Sequence, residues 1–291
     1  MLSYRHSFHA GNHGDVLKHL CQMLLIDKLK SKDKGFCYFD SHSGAGLYQL
    51  DSAESLKTNE FMQGINRLSG RAVQNTALNQ YLALVAEYQK FKQYPGSPEI
   101  AKSMLRPQDK MVLMEWHNQE ILNLKSNIGG KNIAIHHRDG YEGLLALTPP
   151  AMQRGMVLID PSYEMASEYQ QVVDTVSATY KKWSSAIFAI WYPLISARKD
   201  PNKDFDSSAS KKGKSEAMLQ SLSQSAFKNM LNIELCVTAA DEAEGMYGSG
   251  MLVINAPWQF DIRVTESLQE LSPIMAQSAK ASYSVDWLIK E

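Results

Sequence analysis

The sequence predicts an α/β fold with a doubly wound, mostly parallel sheet and a small helical insertion. Short β-prone apolar runs alternate with stretches of helical spacing, which is typical of a parallel sheet covered by helices. Four successive predicted strands are followed by a glycine turn or an acidic residue. Because the ligand crevice of such sheets lies at the carboxyl ends of the strands, we expect these residues to line one site.

Five strands are predicted for the parallel part of the sheet, each an apolar run that ends at polar or turn residues. They cover residues 35–40, 110–115, 132–137, 156–160 and 186–192. Two later strands are expected at 232–238 and 251–255, with a Gly-rich hinge at 245–250 between them. The tail at 283–289 suits a short edge strand.

Helical spacing fills most of the intervals between these strands. The first helix is predicted at 15–30, with Asp15 near its start. Further helices are expected to end near residues 105, 127, 147, 183 and 230. We expect one domain over 1–291, with a helical insertion subdomain at 51–95 and an ordered substrate arm at 1–14.

The charge balance excludes a polycationic nucleic-acid coat, because 30 basic and 31 acidic residues leave a formal net charge of −1. Any nucleic-acid site must be a local basic patch. One candidate is the arm; the other is the lysine-rich segment at 198–214, whose composition is more typical of a solvated loop. The three cysteines form no CxxC pair, and no signal peptide or bilayer-spanning run is evident, so we expect a cytoplasmic protein with free thiols.

A glycine turn, Gly44-Ala-Gly46, follows the first strand and lets a ligand approach the backbone closely. It is a weak signal alone, because position 49 is Gln where a dinucleotide fingerprint has its third glycine. Glu115 strengthens it, since an acid at the end of the next strand can accept hydrogen bonds from both hydroxyls of a ribose.

Two further strand ends carry acidic residues that allow more than one interpretation. Asp139-Gly140 is placed to meet an adenine edge, but Asp139 would serve equally as the N-cap of the next helix. Asp160 and Pro161, with Tyr163, put a carboxylate, a fixed carbonyl and an aromatic ring after the fourth strand. Alternatively, Asp-Pro simply ends that strand. The coincidence of all these features on successive strand ends favours a shared ligand crevice.

Several segments resemble known methyltransferases. Asp40-Ser-His-Ser-Gly-Ala-Gly46 looks like the S-adenosylmethionine motif of class I methyltransferases, and Asp160-Pro-Ser-Tyr163 resembles the Asp-Pro-Pro-Tyr motif of enzymes that methylate adenine N6. The segment Ser3-Tyr-Arg-His-Ser-Phe-His-Ala-Gly-Asn-His-Gly-Asp-Val-Leu-Lys-His19, with Tyr94-Pro-Gly-Ser-Pro98 and Trp191-Tyr-Pro193, is similar to the RlmJ family of 23S ribosomal RNA adenine-N6 methyltransferases. The similarity extends over essentially the whole chain.

The resemblance implies a Rossmann-like class I methyltransferase that uses S-adenosylmethionine. The implied partner is 23S rRNA, as naked RNA or an early assembly intermediate, with no obligatory protein partner and no membrane. Asp160 is implied as the catalytic residue, and Tyr4, His6 and Lys18 as residues that serve the RNA. Together with Gly44 and Gly46 of the turn, the implied cofactor contacts are His19, His42, Ser97, Glu115, Asp139, Gly140 and Asp160.

In the expected mechanism, the Asp160 carboxylate and the Pro161 carbonyl each accept one N–H group of the adenine amine, which aims its lone pair at the sulfonium methyl. Asp160 also suits a general base. Tyr163 is expected to stack on the extruded base, so an unpaired adenine is the favoured target. Ser162 stands where the family motif has a second proline; it removes neither acceptor, so activity is expected to persist with a less rigid loop.

The arm is expected to bind RNA through Tyr4 and Phe8, which are interleaved with basic residues, although Phe8 could instead dock the arm on the protein. The arm's histidines lack an accompanying cysteine pair or catalytic acid, so no metal is expected.

Three rival functions are compatible with parts of this pattern. A DNA adenine-N6 methyltransferase would use the same motifs. A nicotinamide-dependent oxidoreductase is disfavoured by Gln49 and by the lack of a hydride-transfer Ser/Tyr/Lys set. A non-catalytic RNA-binding module is disfavoured because Asp160, Glu115 and His42 are all present.

Overall fold

The computed structural model describes residues 5–196 and 211–290. In this part of the chain the strands are β1 (Cys37–Asp40), β2 (Leu47–Gln49), β3 (Gln93–Pro95), β4 (Lys110–Glu115), β5 (Ile133–His137), β6 (Gly155–Ile159), β7 (Ile187–Ile195), β8 (Met230–Cys236), β9 (Met246–Ile254) and β10 (Ser282–Ile289). The helices are α1 (His13–Lys30), α2 (Ala53–Thr58), α3 (Glu60–Gln63), α4 (Thr76–Gln89), α5 (Ser97–Met104), α6 (Asn118–Asn127), α7 (Gly140–Leu147), α8 (Glu168–Lys182), α9 (Lys214–Ser223) and α10 (Phe260–Met275).

Eight of these strands form one sheet in the order β5-β4-β1-β6-β7-β9-β8-β10. The first five strands of this order are parallel, whereas β9, β8 and β10 pair antiparallel to their neighbours. The chain moves outward from β1 to β4 and β5, then returns to β6 on the other side of β1. The prediction of a doubly wound, mostly parallel α/β sheet is therefore confirmed, and its switch point lies between β1 and β6.

The register of the central strands aligns the acidic strand ends. Asp40 pairs with Leu113 on one side and with Leu158 on the other. Glu115 and Asp160 each follow these partners by two residues, so both extend past the end of β1. The parallel sheet thereby brings the three carboxylates to one edge.

Helix α1 is buried along most of its length and packs on β9 and on α5. Its N-cap is Asn12, whose side-chain oxygen accepts the Asp15 N–H at 2.9 Å. The sequence places Asp15 near the helix start, which is correct, but the capping role belongs to Asn12. The Asp15 carboxylate is left available for other partners.

Three features of the fold differ from the sequence prediction. The expected hinge at 245–250 is wrong, because Met246–Ile254 is one strand, and a Cβ at Gly250 would lie 2.0 Å from the Tyr192 ring. Glycine there makes room for a buried aromatic side chain. Helix α10 and the two-stranded sheet of β2 and β3 are absent from the prediction. Three-residue strands are too short to show a reliable alternation.

Residues 51–95, expected to be a helical insertion, contain α2, α3, α4 and a 3-10 turn at Ile65–Arg67, and they end in β3. The arm begins in the described chain with a 3-10 turn at His6–Phe8. None of the described helices combines the length and the apolar character that a bilayer crossing needs.

Candidate active site

A cleft with a volume of about 290 Å³ opens at the carboxyl ends of β1, β4, β5 and β6. It brings together most of the residues that the sequence singles out. These are His6, Lys18, His19, His42, Gly44, Ser97, Glu115, Asp139, Gly140 and Asp160. Pro161, Tyr163 and Gly46 do not line it, and Tyr4 lies outside the described residues.

The shortest contact in the cleft joins the Lys18 ammonium to Oδ2 of Asp160, at 2.5 Å. Lys18 also lies 2.7 Å from Oδ1 of Asp15, one helical turn earlier in α1. Burial alone would lower the pKa of Lys18, but Asp15 and Asp160 outweigh it and raise that pKa above its usual value. Lys18 is only 4% exposed. A direct contact of Lys18 with the RNA, as the family resemblance implies, would therefore require this ion pair to open.

Asp15 is a buried carboxylate with several partners besides Lys18. Its carboxylate accepts the Gly11 N–H at 2.8 Å and lies 2.9 Å from His6 Nε2. Burial would raise the pKa of Asp15, but the charges of His6 and Lys18 hold it well below its usual range. His6 thus reaches the cleft as a partner of Asp15, which joins the arm to α1.

Glu115 closes the cleft at the end of β4. One of its carboxylate oxygens accepts the Gly44 N–H and the other the His117 N–H, each at 2.7 Å. Burial raises the pKa of Glu115, and these two backbone donors work against that rise. The donors fix the orientation of the carboxylate, whose oxygens keep further lone pairs for hydroxyl groups of a ligand.

The two glycines of the turn are required by backbone conformation and by packing, and Gly44 also lines the cleft. Gly44 and Gly46 have φ values of +56° and +72°, which favour glycine. A Cβ at Gly44 would lie 2.1 Å from the Tyr48 hydroxyl. Gly46 instead packs against Ile128 and accepts the Gly96 N–H through its carbonyl, so its contribution is to hold the turn.

Asp139 caps helix α7, because its Oδ1 accepts the Glu142 N–H at 2.9 Å. It also lines the cleft, so the capping interpretation and the ligand interpretation are compatible. Gly140 follows it at a position where a Cβ would lie 2.0 Å from the Ser41 carbonyl oxygen. Only glycine allows α7 to approach the turn after β1 this closely.

A second buried carboxylate, Asp40, organises the floor of the cleft. Its Oδ2 accepts hydrogen bonds from the Ser97 hydroxyl at 2.7 Å and from the Tyr38 hydroxyl at 2.9 Å. Burial raises the pKa of Asp40 to about 6. Ser97, predicted as a cofactor contact, is thereby held in place at the cleft by a residue of β1.

Two polar atoms in the wall of the cleft have no hydrogen-bond partner among the described residues: His19 Nε2 and Tyr141 Oη. His19 is completely buried, and its Nδ1 lies 2.7 Å from the Tyr94 hydroxyl. Burial holds the pKa of His19 well below its usual value, so the ring is neutral. Buried polar groups are normally satisfied, and these two suit a polar ligand in the cleft.

The Asp160-Pro-Ser-Tyr163 loop corrects one expectation. The Tyr163 ring is 1% exposed, lies 4.4 Å from the Tyr169 ring and donates its hydroxyl to the Trp191 carbonyl at 2.9 Å. It cannot stack on an extruded base in this position. Tyr163 has a φ of +50°, which is unusual for a bulky residue, so its buried ring holds the loop in a strained conformation.

Ser162 lies in the cleft wall, and its hydroxyl is 3.4 Å from both carboxylate oxygens of Glu168. Glu168 also accepts the Met165 N–H at 3.0 Å and donates its own N–H to the Met165 carbonyl. The loop that lacks the second proline is therefore tied to the first turn of α8.

Contacts with the insertion fasten the described part of the arm. Arg5 pairs with Glu54 at 2.8 Å, and His9 Nδ1 lies 2.8 Å from Glu60. The Phe8 ring has the Arg5 guanidinium 5.5 Å from its centroid.

Among the described residues, His, Cys, Asp and Glu side chains form no group suited to hold a metal ion. Most of the basic segment at 198–214 lies outside the described residues.

Sequence reasoning missed several residues that line the cleft or support its lining residues. Asp15 was visible only as a helix-start residue, and Asp40 only as part of the motif before the glycine turn. Tyr141 and Trp116 follow Gly140 and Glu115 directly, so proximity to predicted contacts was their available signal. Glu168 had no signal in the sequence, because its role depends on how the first turn of α8 packs against the loop that contains Ser162.

Comparisons with known proteins agree over the whole chain. The family model described as Ribosomal RNA large subunit methyltransferase D, RlmJ, matches residues 33–289. The proteins named Ribosomal RNA large subunit methyltransferase J from Escherichia coli and Haemophilus influenzae are 38% and 36% identical to this chain, over 100% of both proteins in each case. A crystal structure of a Legionella pneumophila protein is 30% identical, with a TM-score of 0.82 over 96% of this chain and 98% of that one.

Proposed function

The chain belongs to the RlmJ family of ribosomal RNA large subunit methyltransferases, and from this premise we propose that it methylates the N6 amine of an adenine in 23S rRNA. The methyl donor is S-adenosylmethionine. The observation that carries the proposal is the position of Asp160: it follows β6 directly and lines a cleft whose other walls present Glu115, Gly140 and His19. His6 of the arm lines the same cleft.

The residues of the cleft fit this cofactor. Two backbone N–H groups orient the Glu115 carboxylate, which can accept hydrogen bonds from ribose hydroxyls. Asp139 and Gly140 line the part of the cleft that we assign to the adenine of the cofactor. His19 Nε2 and Tyr141 Oη supply unsatisfied polar atoms. Bound S-adenosylmethionine supplies an electrophilic methyl group on a sulfonium. Every other function in the reaction falls to residues of the chain and to the RNA.

Asp160 and Pro161 orient the nucleophile. The adenine amine is weakly nucleophilic because its lone pair is delocalised into the ring. The Asp160 carboxylate accepts one of its N–H groups. The Pro161 carbonyl, which stands between the lining residues Asp160 and Ser162 in the chain, accepts the other. The lone pair is then localised and directed at the methyl carbon. Bound S-adenosylmethionine would give up its methyl group from sulfur to the amine nitrogen, and Asp160 accepts the proton that the amine loses. Base catalysis of this kind contributes typically about 10²- to 10⁴-fold.

The target is an adenine that RNA structure leaves unpaired, because extrusion from a duplex costs a few kcal/mol. Since the Tyr163 ring is buried, its part in this mechanism is to fix the loop that carries Asp160. His6, which lines the cleft, serves the RNA together with Tyr4, which lies outside the described residues. Lys18 acts through Asp160, with which it is paired.

Transfer of labelled methyl groups from S-adenosylmethionine tests the proposal. Bare 23S rRNA, assembled large subunits, bare 16S rRNA and adenine-containing duplex DNA are incubated with the purified full chain, and the modified base is mapped. We expect label at a single adenine N6 of 23S rRNA, with bare or early-assembly RNA the better substrate. Preferential labelling of DNA, or label on a base atom other than N6, would contradict the proposal.

A further inference from the structure

Asp15 holds a position that neither the catalytic motif nor the cofactor cleft explains. Its side chain is 1% exposed. It gathers donors from three places: the Gly11 N–H at 2.8 Å, His6 Nε2 at 2.9 Å and the Lys18 ammonium at 2.7 Å. His19 Nε2 lies farther away, at 3.9 Å. A helix cap would not need these partners, and the cap of α1 is Asn12.

The three charged groups form a row. The Lys18 ammonium lies between Asp15, at 2.7 Å, and Asp160, at 2.5 Å. Both carboxylates and the ammonium are largely withdrawn from water, with 1%, 13% and 5% of their side chains exposed. A buried charge is costly unless it is paired. The ammonium can therefore leave one carboxylate only if the other one keeps it.

This arrangement matters for the proposed reaction. Asp160 must accept a hydrogen bond from the substrate amine and then its proton, while the Lys18 ammonium lies 2.5 Å from its Oδ2. A carboxylate has two oxygens and about four lone pairs, so the amine can bind Asp160 beside Lys18. Once Asp160 has taken the proton, however, it is neutral and no longer balances the charge of Lys18. With Asp15 on its far side, Lys18 stays paired with a carboxylate throughout the reaction.

We propose that Asp15 is a positioning residue for methyl transfer, which keeps the Lys18 ammonium neutralised while Asp160 accepts first the hydrogen bond and then the proton of the substrate amine. This inference rests on the proposed function. It also assigns a purpose to the contact between His6 and Asp15. Docking of the arm sets the Asp15 carboxylate against Lys18, so the arm prepares the catalytic carboxylate as well as contacting RNA.

The test compares Asp15→Asn with wild type and with Asp27→Asn, a matched change on the same helix at a half-exposed residue that pairs with Arg263. An Asn side chain keeps the shape and an acceptor for Gly11 but cannot neutralise Lys18. We expect kcat at saturating rRNA to fall roughly 10- to 100-fold. KM for rRNA and the Kd of S-adenosylmethionine from calorimetry should stay within about threefold. Asp27→Asn should match wild type in all three.

A purely structural role of Asp15 in docking the arm would raise KM and leave kcat unchanged, and this outcome overturns the inference. So does an Asp15→Asn variant with wild-type kcat beside an active wild type. If Asp15→Asn fails to bind cofactor and is unfolded, Asp15→Ser, which is smaller and also uncharged, carries the same comparison. A wild-type protein that binds S-adenosylmethionine but methylates no RNA would overturn the proposed function, and this inference with it.

Discussion

The Lys18 ammonium lies 2.5 Å from Oδ2 of Asp160, although 142 residues separate the two in the chain. This contact joins the first helix, which follows the arm, to the loop that follows the fourth parallel strand. Lys18 is held from its other side by Asp15 at 2.7 Å. The carboxylate that is catalytic in the proposed reaction is therefore paired with a residue of the first helix.

Asp160→Asn should lower kcat for methyl transfer by about 10²- to 10⁴-fold, because an amide neither accepts the proton nor stabilises the developing charge. RNA binding, measured by filter retention, should stay near the wild-type value. Asp174→Asn is the matched control, since Asp174 is exposed on α8 and pairs only locally with Gln170. Turnover of Asp160→Asn close to wild type would remove Asp160 from the mechanism.

Glu115→Gln should weaken S-adenosylmethionine binding by roughly 10- to 100-fold, as expected for loss of hydrogen bonds to a charged acceptor. Gln keeps one acceptor, but its NH₂ group would face either the Gly44 or the His117 N–H. Calorimetry measures the Kd, with Glu87→Gln on the exposed face of α4 as control. An unchanged Kd would show that Glu115 only shapes the turn.

Gly140→Ala should destabilise the protein by about 1–3 kcal/mol and weaken cofactor binding, because its Cβ would lie 2.0 Å from the Ser41 carbonyl oxygen. Relief of that overlap requires α7 to move away from the turn after β1. Gly129→Ala is the control, since a Cβ there meets nothing within 4 Å. Urea unfolding and calorimetry measure both effects; equal behaviour of the two variants would contradict the close approach of α7.

Tyr163→Phe should lower the free energy of unfolding by about 0.5–1.5 kcal/mol, because it removes the hydrogen bond from the Tyr163 hydroxyl to the Trp191 carbonyl. KM for rRNA should not change. Tyr180→Phe is a suitable comparison, since the hydroxyl of Tyr180 makes longer contacts, of 3.3 and 3.4 Å. A large rise in KM without loss of stability would restore Tyr163 as a stacking residue.

Stability should fall as the pH drops below neutrality, in part because burial lowers the pKa of His13 to about 4 from its ordinary value of 6.5. Between these values the unfolded chain binds the proton and the folded chain does not. The stabilisation is thus present above pH 6.5 and is lost as the pH falls toward 4. One such histidine removes about 2 kcal/mol between pH 7 and pH 5.

His13→Gln should therefore lose about 2 kcal/mol less than wild type between pH 7 and pH 5 in urea unfolding. Identical losses for wild type and His13→Gln would mean that His13 is not kept neutral by its surroundings.

Motif residues at strand ends could be predicted from the sequence, because the end of a strand depends on local composition. Glu115, Asp139 and Asp160 were found in this way, and the parallel sheet brings them to one edge. The short strands β2 and β3 and the helix α10 could not be predicted in this way. β2 and β3 have three residues each, and their pairing joins a strand before the insertion to the last residues of the insertion.

The sequence by itself determined the α/β class, the acidic residues that follow successive parallel strands, and the family. Hydrophobic spacing and contiguous motifs are local properties of a chain, so one sequence is enough to find them. Only the tertiary structure decided which side chains face each other. It paired Lys18 with Asp160, placed Asp15 behind them and buried the Tyr163 ring. These contacts join distant segments through packing, and a single sequence contains no local signal for them.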